Sequence, residues 1–292
     1  MFKGSIVAIV TPFSKGKIDE KKFRQLIDFQ LANGTSGIVP CGTTGESATL
    51  DIQEHERIIH ITIEQVNKRV PVIAGTGSNC TSEAISLTKD AAKAGADASL
   101  QVSPYYNRPT QRGLYEHFKA IAESVDIPII LYNIAGRTGV NIEPETIARL
   151  AADCKNIVAV KEASGNLDQM SRIKQLCPKN FVLISGDDSL TLPVLSIGGT
   201  GIISVAANIV PRDIADMVEA FLKKDIQKAQ SLHFKLLPLI KVLFLETNPI
   251  PVKTAMGLLG MCEPQLRLPM CEMSVENKEK LKKALKDYGL LQ

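Results

Sequence analysis

Eight times over, a short apolar run gives way to a longer segment whose apolar residues recur at helical spacing, and this alternation restricts the fold more than any other feature of the chain. The runs cover 5–10, 37–41, 70–74, 98–103, 128–132, 157–161, 181–185 and 201–205. The helical patterns that follow them cover roughly 19–32, 51–68, 81–94, 111–124, 143–152, 166–176, 188–197 and 211–223. Strands apolar on both faces belong to a parallel sheet covered by helices, and eight such units close most economically into a (β/α)8 TIM barrel of the α/β class. An open doubly wound sheet would want a Gly-rich turn after its first strand, and Thr11-Pro12-Phe13-Ser14 is not one. Past residue 225 three helical stretches, 225–245, 250–260 and 274–287, are separated by breaks such as Asn248-Pro249-Ile250-Pro251. The expected organisation is a catalytic barrel over 1–224 and a small C-terminal three-helix extension over 225–292.

Charge and cysteine content remove several functions. With 34 basic and 31 acidic side chains, 5% aromatics and no Trp, the chain lacks the basic stripe and stacking platforms of a nucleic-acid binder. Its six cysteines form no C-x-x-C pair and its four histidines no H-E-x-x-H, so no metal site, cofactor or disulfide framework is expected, and reduced thiols fit a cytoplasmic protein. The apolar run near the N-terminus, stopped by Thr11-Pro12, is too short for a signal sequence or a membrane span.

In a barrel the chemistry lies where strands end and βα loops begin. One charge stands out there: strand alternation puts Lys161 on the face of Ala159 and Ala163, small residues that leave room beside it. A lysine facing into a barrel is either paired with a carboxylate or held as a neutral amine, and a neutral amine forms Schiff bases; the bland alternative is that it snorkels out to Glu162 or Asp187. Gly42-Thr43-Thr44-Gly45-Glu46-Ser47 offers backbone N–H groups and hydroxyls to a small anion, or is a turn in which Ser47 or Thr49 caps the next helix. Tyr132 shares the face of Ile130, and Arg137 in Ala135-Gly136-Arg137-Thr138-Gly139 can present a fork to a carboxylate. Tyr105-Tyr106 after Pro104 reads as a turn or an oligomer contact, Ser185-Gly186-Asp187-Asp188 as a helix cap, and Gly198-Gly199-Thr200-Gly201 as a phosphate loop or a turn. His55 and His60, five apart in one helix, suggest a solvated face.

Taken together, Gly42 to Ser47, Pro104-Tyr105-Tyr106-Asn107, Leu131-Tyr132-Asn133 through Gly139, Val160-Lys161-Glu162-Ala163 and Ser185 to Asp188 resemble the pyruvate-dependent class I lyases of the N-acetylneuraminate lyase superfamily. Arg137 and the double tyrosine resemble its dihydrodipicolinate synthase branch, rather than its sialic acid or 2-keto-3-deoxy sugar acid lyases. The resemblance implies that Lys161 forms a Schiff base with pyruvate, which then condenses with L-aspartate 4-semialdehyde at the branch point toward diaminopimelate and L-lysine. It implies Tyr132, Thr43 and Tyr106 as a proton relay, Tyr106 reaching into a neighbouring subunit, and Thr43 and Thr44 as holders of the pyruvate carboxylate. Arg137 would bind the semialdehyde carboxylate, and Gly186 and Ile203 would line the pyruvate pocket. Feedback inhibition by lysine is implied at Ser47, Ala48, His55, Asn79, Glu83 and Tyr105, as is a homotetramer built as a dimer of dimers. Two positions depart from the pattern: Ile52 stands where some sensitive enzymes carry histidine, and Ala135 stands where the loop of Arg137 usually has proline.

Overall fold

The computed structural model describes residues 2–292; Met1, where the expected barrel segment begins, lies outside the described residues. In chain order the first half holds β1 (Gly4–Ala8), β2 (Phe13–Ser14), β3 (Lys17–Ile18), α1 (Glu20–Ala32), β4 (Gly37–Val39), α2 (Ile52–Val66), β5 (Ile73–Gly75), α3 (Thr81–Ala94), β6 (Ala98–Val102) and α4 (Gln111–Ala122). Then come β7 (Ile129–Asn133), α5 (Ala135–Thr138), α6 (Pro144–Asp153), β8 (Ile157–Glu162), α7 (Leu167–Leu176), β9 (Val182–Ser185), α8 (Thr191–Ser196), β10 (Gly201–Ser204) and α9 (Pro211–Leu222). The C-terminal helices are α10 (Ile226–Val242), α11 (Ile250–Leu258) and α12 (Val275–Tyr288).

Eight strands form one parallel sheet in the order β4-β1-β10-β9-β8-β7-β6-β5. Its two edges meet: Ile38 bridges Val72, the Ile38 amide donates to Pro71 O at 3.0 Å, and the Gly75 amide donates to Pro40 O at 3.0 Å. A Cβ on Gly75 would run into the backbone carbonyl of Cys41, so only glycine lets these edges approach. The interior is filled by Ile6, Ala8, Val39, Ile73, Leu100, Ile130, Ala159, Val182, Ile184 and Ile203, the inward half of each strand's alternation. Each Val, Leu or Ile among them, fully withdrawn from water, contributes ~1.5–3 kcal/mol. The outward half, including Leu131, Val160 and Leu183, packs under the helices with Leu114, Phe118, Ile147, Met170 and Ile173.

Helix starts follow local chemistry, with one correction. The side chains of Asp19, Thr110, Asn166 and Ser274 accept backbone N–H groups at the starts of α1, α4, α7 and α12, interactions of ~1 kcal/mol each. At α2, however, neither Ser47 nor Thr49 is the cap: they lie in a 3-10 turn, and Asp51 forms a capping box with Glu54. His55 is also not on a solvated face. It extends by one turn the buried stripe of Ile59, Thr62 and Val66, and burial pushes its imidazole below the usual range; its partner in the expectation, His60, is part-exposed and bonds Asp90 at 2.9 Å. Residues 13–18 form a small antiparallel hairpin, and the segment of Arg137 is a helical turn closed by Gly139 at φ +74. Gly198 to Gly201 is a turn into β10, the Thr200 amide donating to Leu183 O at 2.9 Å. Leu281 and Leu285 of α12 and Leu236 and Leu239 of α10 share one apolar cluster with Ile214 and Met217 of α9.

His117 on α4 is buried beside Thr81, 2.9 Å from its Oγ1, and burial pushes its imidazole down from the ordinary 6.5 to about 4. A folded value below the unfolded one favours the unfolded state as protons bind. The stability contributed by neutral His117 is therefore fully present above pH 6.5 and lost as pH falls toward 4. Thermal melts of the parent and of His117→Gln are expected to converge over that window; a constant difference would refute the assignment.

Candidate active site

Lys161 is the fifth residue of β8, and the pairing that closes the barrel fixes its surroundings. It lies in register with Tyr132 on one side and Ile184 on the other, and it is 6% exposed. Its Nζ sits 3.9 Å from the centre of the Tyr132 ring, and among the described residues no carboxylate forms an ion pair with it. Neither neighbour once open to it has taken it. Glu162 points the other way, fully buried, accepting from Asn133 Nδ2 (3.1 Å), the Ser164 amide (2.8 Å) and Gln169 Nε2 (3.0 Å). Asp187 caps a 3-10 turn by accepting from the Ser189 amide at 2.9 Å.

Space beside Lys161 depends on Gly186. A Cβ there would lie 2.7 Å from Ala163 Cβ and 3.1 Å from Lys161 Cε. Next to it, Asp188 is wholly buried and accepts from Ser204 Oγ and from the Val205 and Ala206 amides, at 2.9 and 3.3 Å, so it braces the end of β10 rather than facing a ligand. Burial raises its carboxyl above the ordinary range, against the lowering effect of these donors. Ile203 is 1% exposed, inside the barrel between β1 and β9 neighbours.

The Gly42–Ser47 loop winds back on itself. The amides of Gly45, Glu46 and Ser47 donate to Gly42 O, Thr43 O and Gly42 O, so these three N–H groups serve the loop and not an anion. Thr44 is 2% exposed, and its Oγ1 accepts from Asn248 Nδ2 at 3.0 Å, which leaves its hydroxyl hydrogen for another acceptor. Arg137 Nη2 donates to Asn248 O at 2.9 Å, so one residue of the C-terminal segment touches both the hydroxyl loop and the guanidinium. Glu46 has left-handed backbone, φ 55 and ψ 37, and its carboxylate meets Lys253 Nζ at 2.6 Å; the two side chains are 2% and 0% exposed. Removing one partner of so buried a pair typically costs ~3–5 kcal/mol. Burial lowers the Lys253 ammonium's pKa and Glu46 opposes that shift.

A cavity of about 330 Å³ opens beside this loop. Thr43, Arg137, Thr138 and Asn248 line it together with Ser47, Ala48, Ile52, His55, Glu83 and Tyr105. Lys161, Tyr132, Thr44, Gly186, Ile203, Asn79 and Tyr106 do not. Asn79 stands behind this wall, its Nδ2 donating to Tyr105 O at 3.1 Å. Glu83 accepts from Ser78 Oγ, and burial, then the Glu83 charge, raise the Tyr105 phenol. Tyr106 stands apart: 91% exposed on left-handed backbone at φ 67. Among the described residues no cluster of three His, Cys, Asp or Glu could hold a metal ion, and no helix is long and apolar enough to cross a membrane.

Comparison with known proteins decides what this mouth belongs to, since the profile of the Dihydrodipicolinate synthetase family matches residues 1–288. The chain belongs to that family. Among dihydrodipicolinate synthases, the 4-hydroxy-tetrahydrodipicolinate synthases of Endomicrobium trichonymphae and Syntrophus aciditrophicus are 59% and 60% identical to it over 291 residues, covering 100% of each chain. The crystal structure of dihydrodipicolinate synthase from Aquifex aeolicus matches at TM-score 0.98 and 52% identity, over 99% of both chains. A lysine-bound synthase from Cyanidioschyzon merolae matches at 0.96 and 44% over 99% of both, and a chloride-inhibited synthase from Acinetobacter baumannii complexed with pyruvate at 0.97 and 44% over 100% of both. The activity is that of the family: 4-hydroxy-tetrahydrodipicolinate synthesis by a pyruvate-dependent enzyme of the lyase type, in lysine biosynthesis.

Reading the sequence did not single out Glu46 for its side chain, nor Asn248 and Lys253 at all. The one available signal was that a buried position in an otherwise apolar stretch, Ile250-Pro251-Val252-Lys253-Thr254-Ala255, carries a charge. For Gly186→Ala the expected outcome is a folded protein whose melting point drops by several degrees, the added methyl overpacking Ala163 and Lys161. Turnover should fall at least about tenfold, a loss of ~1.4 kcal/mol in transition-state stabilisation; unchanged turnover would show that the space beside Lys161 is not used.

Proposed function

We propose that Lys161 is the nucleophile of this synthase. Its Nζ adds to the ketone carbon of pyruvate and water is lost, giving an iminium; the methyl carbon then gives up a proton and becomes the enamine carbon that adds to the aldehyde of L-aspartate 4-semialdehyde. The substrate's own amine closes onto the imine carbon and displaces Lys161, which returns unchanged. Tyr132, directly under Nζ, moves protons together with Thr43 and with Tyr106 of a neighbouring subunit. The hydroxyls of Thr43 and Thr44 hold the pyruvate carboxylate, Gly186 and Ile203 shape its pocket, and Arg137 binds the carboxylate of the semialdehyde. The observation that carries this reading is a lysine 6% exposed at a barrel-strand end, stacked on a tyrosine and joined to no carboxylate.

Lysine acts as inhibitor in the cavity lined by Ser47, Ala48, His55, Glu83 and Tyr105, with Asn79 bonded to Tyr105 behind it. Glu83 supplies the negative charge that an ammonium requires, and the lysine bound to the Cyanidioschyzon merolae relative supports this reading. The chain works in the cytoplasm as a homotetramer, a dimer of dimers, which gives a place to Tyr106 and to exposed apolar side chains such as Leu268 and Phe234.

Treatment with pyruvate and borohydride is expected to add one covalent adduct to the parent and none to Lys161→Ala, which should melt like the parent while losing several orders of magnitude in rate. An adduct on Lys161→Ala would refute the assignment. Arg137→Ala should raise KM for the semialdehyde by at least about tenfold and leave KM for pyruvate within about twofold, since a charge-assisted fork is worth ~1.5–3 kcal/mol. With Glu83→Ala, the lysine concentration giving half inhibition should rise at least about tenfold at near-parental turnover; unaltered inhibition would place lysine elsewhere.

A further inference from the structure

We propose that the buried Glu46–Lys253 pair is a positioning device for the pyruvate-binding hydroxyls. The threonine loop belongs to the barrel, yet what holds it comes from the other end of the chain. Glu46 follows Thr44 by two residues and sits on left-handed backbone, a conformation that a glutamate keeps only when its surroundings enforce it. Both of its carboxylate oxygens are engaged by the C-terminal segment: Lys253 Nζ at 2.6 Å and the Arg267 amide at 3.1 Å. Lys253 is held in turn by Gln265 O at 2.6 Å and stands 4.3 Å from the Phe13 ring centre. From the same segment Asn248 reaches Thr44 Oγ1. The loop is thereby fixed at two points, on the threonine itself by Asn248 just ahead of α11 and two residues later by Lys253 within it.

An ion pair this dry is a poor way to gain stability, because desolvating both charges offsets most of their attraction, whereas its directional bonds fix a register. A neutral pair of similar shape would fill the same volume without the two charge-assisted bonds. The inference rests on the reading that Thr43 and Thr44 bind pyruvate. With both side chains withdrawn from solvent, the pair acts through the loop.

The test compares Glu46→Gln/Lys253→Met, which removes both charges together, with the parent and with Thr44→Val. The double variant is expected to melt close to the parent, to show KM for pyruvate raised about tenfold with KM for the semialdehyde within about twofold, and to trap pyruvate on Lys161 more slowly at low pyruvate but completely at saturation. A well-folded double variant with parental KM for pyruvate, alongside a Thr44→Val variant whose KM is raised, would overturn the positioning role while leaving the hydroxyl reading intact. Parental KM in Thr44→Val would instead overturn the hydroxyl reading, and the proposal with it. Should the double variant not fold, Glu46→Asp, which keeps both charges and shortens the reach by one methylene, takes its place with the same two outcomes. Restoration of the parental KM in Glu46→Asp by pairing it with Lys253→Arg would add support, since only a reach-dependent contact is mended in that way.

Discussion

Closure of the sheet is the constraint on which the rest depends. Where β4 meets β5, Gly75 passes the Cys41 carbonyl so closely that no side chain fits, and the ladder then runs unbroken through all eight strands. Once the sheet is closed, alternation within a strand has only two destinations: the filled interior and the layer beneath the helices. Lys161 and Glu162, adjacent in sequence, are sent to opposite sides and meet opposite fates, one against an aromatic ring and the other among amide donors.

Buried charge in this protein is handled in three ways. Glu162 and Asp188 are carboxylates satisfied by neutral donors, and both brace strand ends. Glu46 and Lys253 neutralise each other between the barrel and the C-terminal helices. Lys161 has neither arrangement. Among these interior charges of the described residues, it is the one so left, and its proposed role as nucleophile rests on that difference.

Most of the fold was legible because β-then-α alternation is a local signal: the eight strands and eleven of the helical stretches fall within a few residues of where periodicity puts them. The inward placement of Lys161 and Tyr132 follows from period-two counting alone. What stayed hidden depends on residues far apart in sequence. Lys253 has no evident role until a glutamate 207 positions away is brought against it, and Asn248 reads as part of a proline-rich break until the barrel mouth is built beneath it. His55 was misplaced for a nearer reason: a polar residue can extend an apolar stripe when it faces a cavity, and spacing between two histidines ignores the stripe.

Thr43 and the run from Glu46 to Ile52 line the cavity, with Thr44 and Gly45 turned away between them. Groups assigned to substrate and groups assigned to the end-product inhibitor are therefore mounted on the same ten-residue arc. A change at Glu46, the arc's anchored middle, would therefore be felt along the arc on both sides of it. Ile52, at its rim and 57% exposed, is tied to no such anchor, so a change there reshapes the cavity wall without loosening the threonine loop.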